Sequence, residues 1–323
     1  MKKASVLLFL FFFLFISCKK ERQDLYTLGI FQVNNAPTLN VVRKAFIRAL
    51  EDNGFTDGKN IRLIVKNGMG DIPEIHRIAQ EFVAHKVDMI IALSTPCLQA
   101  ALNSTREIPI IFSSVANPFL VGVGKSPEDH LGNVTGVSSR GPIKQSLTFI
   151  KKVMPDAKRI GTLWTPSELN SEYYLSLVKE SAAEFGLEIV AVPIANTSEV
   201  LIAAQRLINK NIDAIYQISD NTINASFEAL GKVAEENSIS LFGGFLLSTR
   251  LGACAAMGWD FYNMGYKTGE IALRVKDGES LLDIPIKYMN DVRLYLNLDA
   301  AERQGVKFSQ DVLKSADEIV GGE

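Results

Sequence analysis

Three histidines and three cysteines in 323 residues leave little material for metal or nucleophile chemistry. His76 and His85 stand nine apart on one apolar-striped segment, too far to share an ion, and His-Glu-x-x-His does not occur. The serine-hydrolase elbow fails as well, because Gly136-Val137-Ser138-Ser139-Arg140 lacks the final glycine. Gly122-Val123-Gly124-Lys125-Ser126 ends like a phosphate loop, but Phe119 replaces the first glycine and Pro127 sits where a helix would start. It reads as a surface loop. There is no surplus of one charge either: 34 Lys and Arg against 36 Asp and Glu give -2, which argues against nucleic acid as a partner. No Pro/Ser-rich linker or low-complexity tract interrupts the chain. These shortages point away from an enzyme and from cofactors or metals.

The N-terminus carries the one long apolar run. Lys2-Lys3 precede Ala4–Ile16, which is short for a bilayer span and suited to the core of a signal peptide. Ser17-Cys18 follows, then a polar stretch. A small residue before a lone cysteine resembles the lipobox of bacterial lipoproteins, with Phe15 and Ile16 as departures. The expectation is a signal peptide over 1–17, lipidation at Cys18 and a tether over 18–25. Cys97 and Cys254 then remain, either as buried free thiols or as a staple between lobes.

From Tyr26 onward strands and helices alternate. Tyr26–Val33, Ile61–Lys66, Val87–Leu93 and Ile108–Ser113 read as strands, with helices at Leu39–Asn53, around Ile72–Val83, and at Pro96–Asn103. The programme restarts with strands Arg159–Trp164, Leu187–Pro193, Ile212–Ile218 and Ile239–Phe242 and helices Glu172–Phe185, Val200–Leu207 and Ile223–Glu236. Near-continuous apolar strands alternating with helices imply parallel sheets covered on both faces. Two similar doubly wound lobes follow: 26–138 plus 259–283 form lobe 1, and 139–258 plus 284–323 form lobe 2. The crossings at Gly132–Ser138, at Ala253–Gly258 and within Ile284–Leu298 define a hinge.

Open α/β sheets bind ligands at the carboxyl ends of their strands. Two turns stand there. Ser94-Thr95-Pro96 offers hydroxyls and free N–H groups at a helix start, which suits a carboxylate, with ordinary capping as the alternative. Ser219-Asp220-Asn221-Thr222 ends the buried strand Ile212–Ile218; Asp220 is either the cap of the next helix or the counter-ion of an ammonium. One lobe friendly to anions and one to cations would suit a zwitterion. Phe31, Trp164 and Trp259 stand at the same sheet edges and are candidates for stacking on an apolar or flat side chain.

At these residues the chain resembles the solute-binding lipoproteins of ABC importers of the tryptophan/tyrosine type. The carriers are Gly29-Ile30 with Gln32 and Pro37, Gly58-Lys59-Asn60, Val87-Asp88 through Ser94-Thr95-Pro96, and Ile108-Pro109-Ile110-Ile111-Phe112. Asn117-Pro118, Gly132-Asn133-Val134-Thr135-Gly136, Ser167-Glu168 with Asn170-Ser171, Ser219-Asp220-Asn221-Thr222, and Gly258 with Asp260 and Gly265 continue the series. The resemblance implies a type I periplasmic-binding fold. It also implies a cleft lined by Gln32, Ser94, Thr95, Ser114, Ser138, Ser167, Asn170, Asp220 and Asn221, with Asp260 near the second crossing. Asn34, Asn35, Asn117, Gly243-Gly244 and Trp259 depart from the relatives, so the pocket is expected to be retuned; Asn117 is kept as a lining candidate. The function implied is capture of a small solute by a monomer, bound to a membrane through its anchor, and delivery to an ABC permease. The alternatives are a sensor feeding a signalling receptor and, in another class, an envelope hydrolase using Asp220 or Asp260.

Overall fold

The computed structural model describes residues 25–322. The expected signal peptide, Cys18 and nearly all of the tether lie outside the described residues.

The first sheet is built by β1 (Tyr26–Gln32), α1 (Pro37–Asp52), β2 (Ile61–Asn67), α2 (Ile72–Ala84), β3 (Met89–Leu93), α3 (Thr95–Ser104), β4 (Ile110–Val115) and β5 (Val134–Ser138). The chain then crosses to α4 (Ile143–Val153), β6 (Arg159–Trp164), α5 (Leu169–Glu184), β7 (Glu188–Pro193), α6 (Val200–Ile208), β8 (Ala214–Gln217), α7 (Asn221–Asn224), α8 (Phe227–Glu236), β9 (Ser240–Gly243) and β10 (Ala255–Gly258). It returns through α9 (Phe261–Lys276) and β11 (Lys287–Tyr288). It ends in the second lobe with β12 (Arg293–Asn297), α10 (Leu298–Arg303), α11 (Gln310–Lys314) and β13 (Glu318–Val320). The sheets have the orders β11-β5-β4-β3-β1-β2 and β13-β12-β10-β9-β8-β6-β7. All neighbours are parallel except β10 with β12.

Strand parity explains how each sheet is covered. In β1, Leu28 and Ile30 join Val42, Phe46 and Leu50 of α1 and Met264 and Ile271 of α9. Phe31, on the opposite face, joins Ile78 and Phe82 of α2 and Leu98 of α3. Two apolar layers on one parallel sheet make the doubly wound lobe. The return helix fits because it carries glycine where it meets α1. A Cβ on Gly265 would lie 2.2 Å from the Val42 carbonyl oxygen, and one on Gly269 2.5 Å from Ala49 Cβ. Larger residues would push α9 off lobe 1 and displace the second crossing.

The first two crossings are tied together. Ser139 N–H bonds Val115 O at 2.8 Å, Ser138 Oγ donates to Val115 O at 3.0 Å, and the Trp259 indole N–H donates to Arg140 O at 2.9 Å. The third crossing lies within the expected Ile284–Leu298, but lobe 1 keeps more of that stretch than a boundary after residue 283 gives it. Ile284 and Met289 are buried with lobe 1, and Lys287-Tyr288 pair with Val137-Ser138 of β5. The strand lies within a run whose apolar residues suit either lobe, so only pairing assigns it. The expected helix Ile223–Glu236 is two helices, α7 and α8, parted at Ser226. Cys97 and Cys254 are buried free thiols in separate lobes.

Candidate functional site

The carboxyl ends of β1, β3 and β4 form the rim of lobe 1. Gln32 closes β1 and is only 1% exposed. Its Nε2 donates to Asn34 O at 2.5 Å and Asn40 Oδ1 at 2.9 Å, which fixes the amide orientation and leaves Oε1 buried without a partner. β3, the neighbour of β1, pairs Leu93 with Gln32, so the next residues, Ser94 and Thr95, stand beside it. Both are buried, and neither Ser94 Oγ nor Thr95 Oγ1 has a hydrogen-bond partner. Ser94 is the N-cap position of α3 with φ 111° and ψ 162°, and its side chain caps nothing. Ser114 next door also has a positive φ, 58°. Non-glycine residues held in such backbone cost of order 1–3 kcal/mol each, and they cluster at ligand clamps. Buried polar atoms are nearly always paired. Two hydroxyls, one amide oxygen and a helix N-terminus with its positive end together make a receptor for a group carrying both an anion and a donor.

The rim of lobe 2 is built differently. Asp220, at the end of the β8 strand segment, is fully buried. Oδ1 accepts from Ile223 N–H at 2.9 Å and Thr165 Oγ1 at 3.1 Å, and Oδ2 from Thr165 N–H at 3.0 Å. It caps α7 and pins the loop after β6. Glu168, also buried, takes Thr222 Oγ1 at 2.6 Å and Thr222 N–H at 3.1 Å on Oε1, and Asn221 Nδ2 at 2.6 Å, Asn170 Nδ2 at 3.0 Å and Asn221 N–H at 3.3 Å on Oε2. Burial, and then the Glu168 carboxylate nearby, push the Asp220 carboxyl up to about 7. The two acids of the lobe 2 wall are therefore satisfied before any solute arrives, although Asn224 Oδ1 on the same α7 is buried without a partner.

The expected site residues thus divide. Gln32, Ser94, Thr95 and Ser114 gather on lobe 1, and Asn170, Asp220 and Asn221 gather on lobe 2, where Asn34 Nδ2 reaches across to Asn221 O at 2.8 Å. Asp220 has the geometry of the cap, not of a free counter-ion. Phe31 is fully enclosed, with Phe82 edge-on at 5.5 Å, so its stacking partner is core. Trp259 is 8% exposed and serves the hinge through its indole N–H, and Trp164 is half-buried against the lobe 2 core. Ser138 is spent on the first crossing. Asn117 Oδ1 caps its own turn, accepting from Phe119 and Leu120 N–H. Asp260 Oδ1 caps α9 through Tyr262 and Asn263 N–H. Ser167 is exposed and lines an outer cavity of about 360 Å³ with Pro166, Pro193, Ile194 and Glu199. Both aspartates of the hydrolase alternative act as helix caps, and Asp220 also accepts from the Thr165 hydroxyl. Sequence reading passed over Glu168 and Asn34 as site residues. Glu168 had a visible signal, an acid at the start of a helix in the loop after a strand, matching Asp220; Asn34 had none beyond its unusual identity. Among the described residues no group of three or more His, Cys, Asp or Glu could hold a metal ion, and no helix is long and apolar enough to cross a membrane.

Two parallel-dominated sheets joined by three crossings, with polar rims facing each other, define a solute-binding protein of the type I periplasmic-binding fold. The family described as "ABC transporter substrate binding protein" matches residues 27–320, and the chain belongs to it. Proteins of this family work outside the cytoplasm. The chain is 37% identical over 297 residues to the tyrosine-binding protein of Clostridioides difficile, covering 92% of this chain and 86% of that one. Among solved structures, a conserved domain protein from Vibrio cholerae has a TM-score of 0.87 at 28% identity, covering 91% and 99% of the two chains. An ABC domain from Streptococcus pneumoniae in complex with L-Trp has a TM-score of 0.87 at 25% identity, covering 92% and 100%. The ligand-free, open structure of a Clostridium difficile substrate-binding protein with adhesive properties has a TM-score of only 0.67 at 33% identity, covering 92% and 100%. The chain therefore superposes better on the L-Trp complex than on the ligand-free, open structure.

Proposed function

We propose that this protein captures an L-α-amino acid with an apolar or aromatic side chain and delivers it to an ABC permease, without chemical change to the solute. The observation that carries this reading is the trio of unpartnered buried atoms on adjacent strand ends of lobe 1. Ser94 Oγ and Thr95 Oγ1 can donate to a carboxylate at the N-terminus of α3, and Gln32 Oε1 can accept from the ammonium. Lobe 2 then closes over the side chain with a wall stiffened by Asp220 and Glu168. The tyrosine-binding relative and the L-Trp complex support the same solute class. Thr95, Ser94 and Gln32 are the main contacts in this reading; Ser114, Asn170 and Asn221 line the remainder. The protein acts as a monomer, held at the membrane through a lipid on Cys18, where the apolar run meets a single cysteine.

Closure follows from differential affinity: solute contacts made by both lobes exist only in the closed state. Mass spectrometry of solute that copurifies with the native protein, followed by calorimetry against L-tyrosine, L-tryptophan, L-leucine and D-glucose, tests the reading. Binding of one or more of the amino acids and not of the sugar is expected. A copurified sugar, or glucose binding with no amino acid bound, would overturn it. Cys18→Ala should abolish acyl labelling while leaving solute affinity unchanged; normal labelling of that variant would refute the anchor.

A further inference from the structure

Asn34 lies two residues beyond β1 and is buried, although Asn35 beside it is exposed. Its amide is fixed at both ends. Oδ1 accepts the Ala36 N–H at 3.0 Å at the start of α1, and Nδ2 donates to the main-chain oxygen of Asn221 in the other lobe at 2.8 Å. Turning the amide over would set donor against donor and acceptor against acceptor, so one orientation is determined. The main-chain oxygen of Asn34 accepts in turn from Gln32 Nε2 at 2.5 Å.

On the far side, Asn221 is not free to follow. Its Nδ2 and its N–H both bind Glu168 Oε2, and Thr222 holds the other oxygen of the same carboxylate. A continuous hydrogen-bonded chain thus runs from Gln32 through Asn34 and Asn221 to Glu168. It joins the unpartnered acceptor of lobe 1 to the buried carboxylate of lobe 2. Among the described residues, Asn34 to Asn221 is the one side-chain hydrogen bond that spans the cleft away from the three crossings.

We propose that Asn34 is a positioning residue for solute capture. It latches α7 onto lobe 1 in the closed state without touching the solute, and it ties the orientation of Gln32 to closure. The link to Gln32 rests on the proposed amino-acid reading; the latch itself does not. A latch of this kind favours closure for every solute alike, so it sets overall affinity and leaves the rank order of solutes to the pocket. The loss of one such bond should weaken binding about threefold to tenfold.

Asn34→Asp is the sharpest probe. The carboxylate still accepts the Ala36 N–H, yet it sets an oxygen against the Asn221 carbonyl, close to two buried acids. Hydrogen exchange of the full chain without solute should then speed up at residues 34–38 and 221–225, and remain unchanged in β3 and β9. Calorimetry should show the affinities for L-tyrosine and L-tryptophan reduced by the same factor. Asn34→Ala, which removes the donor and adds no charge, should move both readouts the same way and guards against a folding defect in the first variant. Unchanged exchange in both variants would overturn the latch. Affinity losses that differ severalfold between the two amino acids would overturn it too, since Asn34 would then be a solute contact. Should neither amino acid bind the wild type, the amino-acid reading fails and the exchange result still decides the latch.

Discussion

The two rims of the cleft stand at equivalent places in equivalent lobes, yet the neutral polar groups of one and the acids of the other are managed differently. On lobe 1, Gln32, Ser94 and Thr95 bury three atoms without partners, and Ser94 and Ser114 hold positive φ. On lobe 2, Asp220 and Glu168 bury two carboxylates with eight hydrogen bonds from neighbouring side chains and N–H groups. An unpaired buried donor costs its full desolvation energy, whereas a satisfied network rigidifies its surroundings. The difference teaches that lobe 1 is tensioned for a ligand and lobe 2 is a preformed wall. Charge alone would have assigned the ammonium to lobe 2.

The largest effect that separates the two rims is on stability. Asp220→Ala strands the Ile223 N–H and the Thr165 hydroxyl inside lobe 2, while the Thr165 N–H keeps Ser171 Oγ, and it should lower unfolding free energy by about 3–5 kcal/mol in a urea titration. The matching deletion on lobe 1, Thr95→Val, removes a buried hydroxyl that has no partner and should raise stability by about 1–3 kcal/mol. Comparable losses at both positions would erase the distinction.

Glu168→Gln should cost less than Asp220→Ala, about 1–2 kcal/mol, because one carbonyl oxygen still accepts while the new NH₂ opposes the donors of Asn221 or Thr222. A loss above that of Asp220→Ala would make Glu168 the keystone of the wall.

The pH profile of the unliganded protein sharpens the comparison further. With the folded Asp220 carboxyl pushed up to about 7 from its ordinary 3.8, the native state holds a proton that the unfolded chain releases. Its contribution to stability is complete below the ordinary aspartate range and is lost as pH rises through about 7. Subtracting the urea-midpoint profile of Asp220→Asn from that of the wild type should isolate a fall between about pH 4 and pH 7. A flat difference across that window would mean that Asp220 is ionised throughout. The smallest effect belongs to the hinge, where Trp259→Phe removes one hydrogen bond to Arg140 O and should cost about 1 kcal/mol without changing the solute preference.

The fold could be read from the chain because its signals are local. Apolar strands such as Met89–Leu93, glycine stops such as Gly54 and Gly186, and the repeated alternation all survive in the structure. The lobe boundary drawn after residue 283 shows the limit: Lys287-Tyr288 carry no periodicity, and only their pairing with Val137-Ser138 says which sheet owns them. Site residues were legible as positions and not as roles. Asp220 was visibly either cap or counter-ion, and the choice depended on Thr165, which is 55 residues away. Phe31 sits next to Gln32, but strand parity sends one side chain to the α2 face and the other to α1, which no composition argument reveals. Glu168 carried the same strand-to-helix signal as Asp220, whereas Asn34 acts through a partner in another segment, for which a reading along the chain has no signal.

The central claim is that the charged head of the solute is read by lobe 1. Titration calorimetry of L-tyrosine into the wild type, the Ser94→Ala/Thr95→Val double variant and Asp220→Asn tests it directly. Hydrogen bonds to a charged group are worth about 1.5–3 kcal/mol each, so the double variant, which loses two, should bind roughly a hundredfold to ten-thousandfold more weakly. Asp220→Asn, which keeps a capping oxygen, should stay within about threefold of the wild type. A large loss in Asp220→Asn with the lobe 1 double variant near wild type would contradict the account and return the counter-ion role to Asp220.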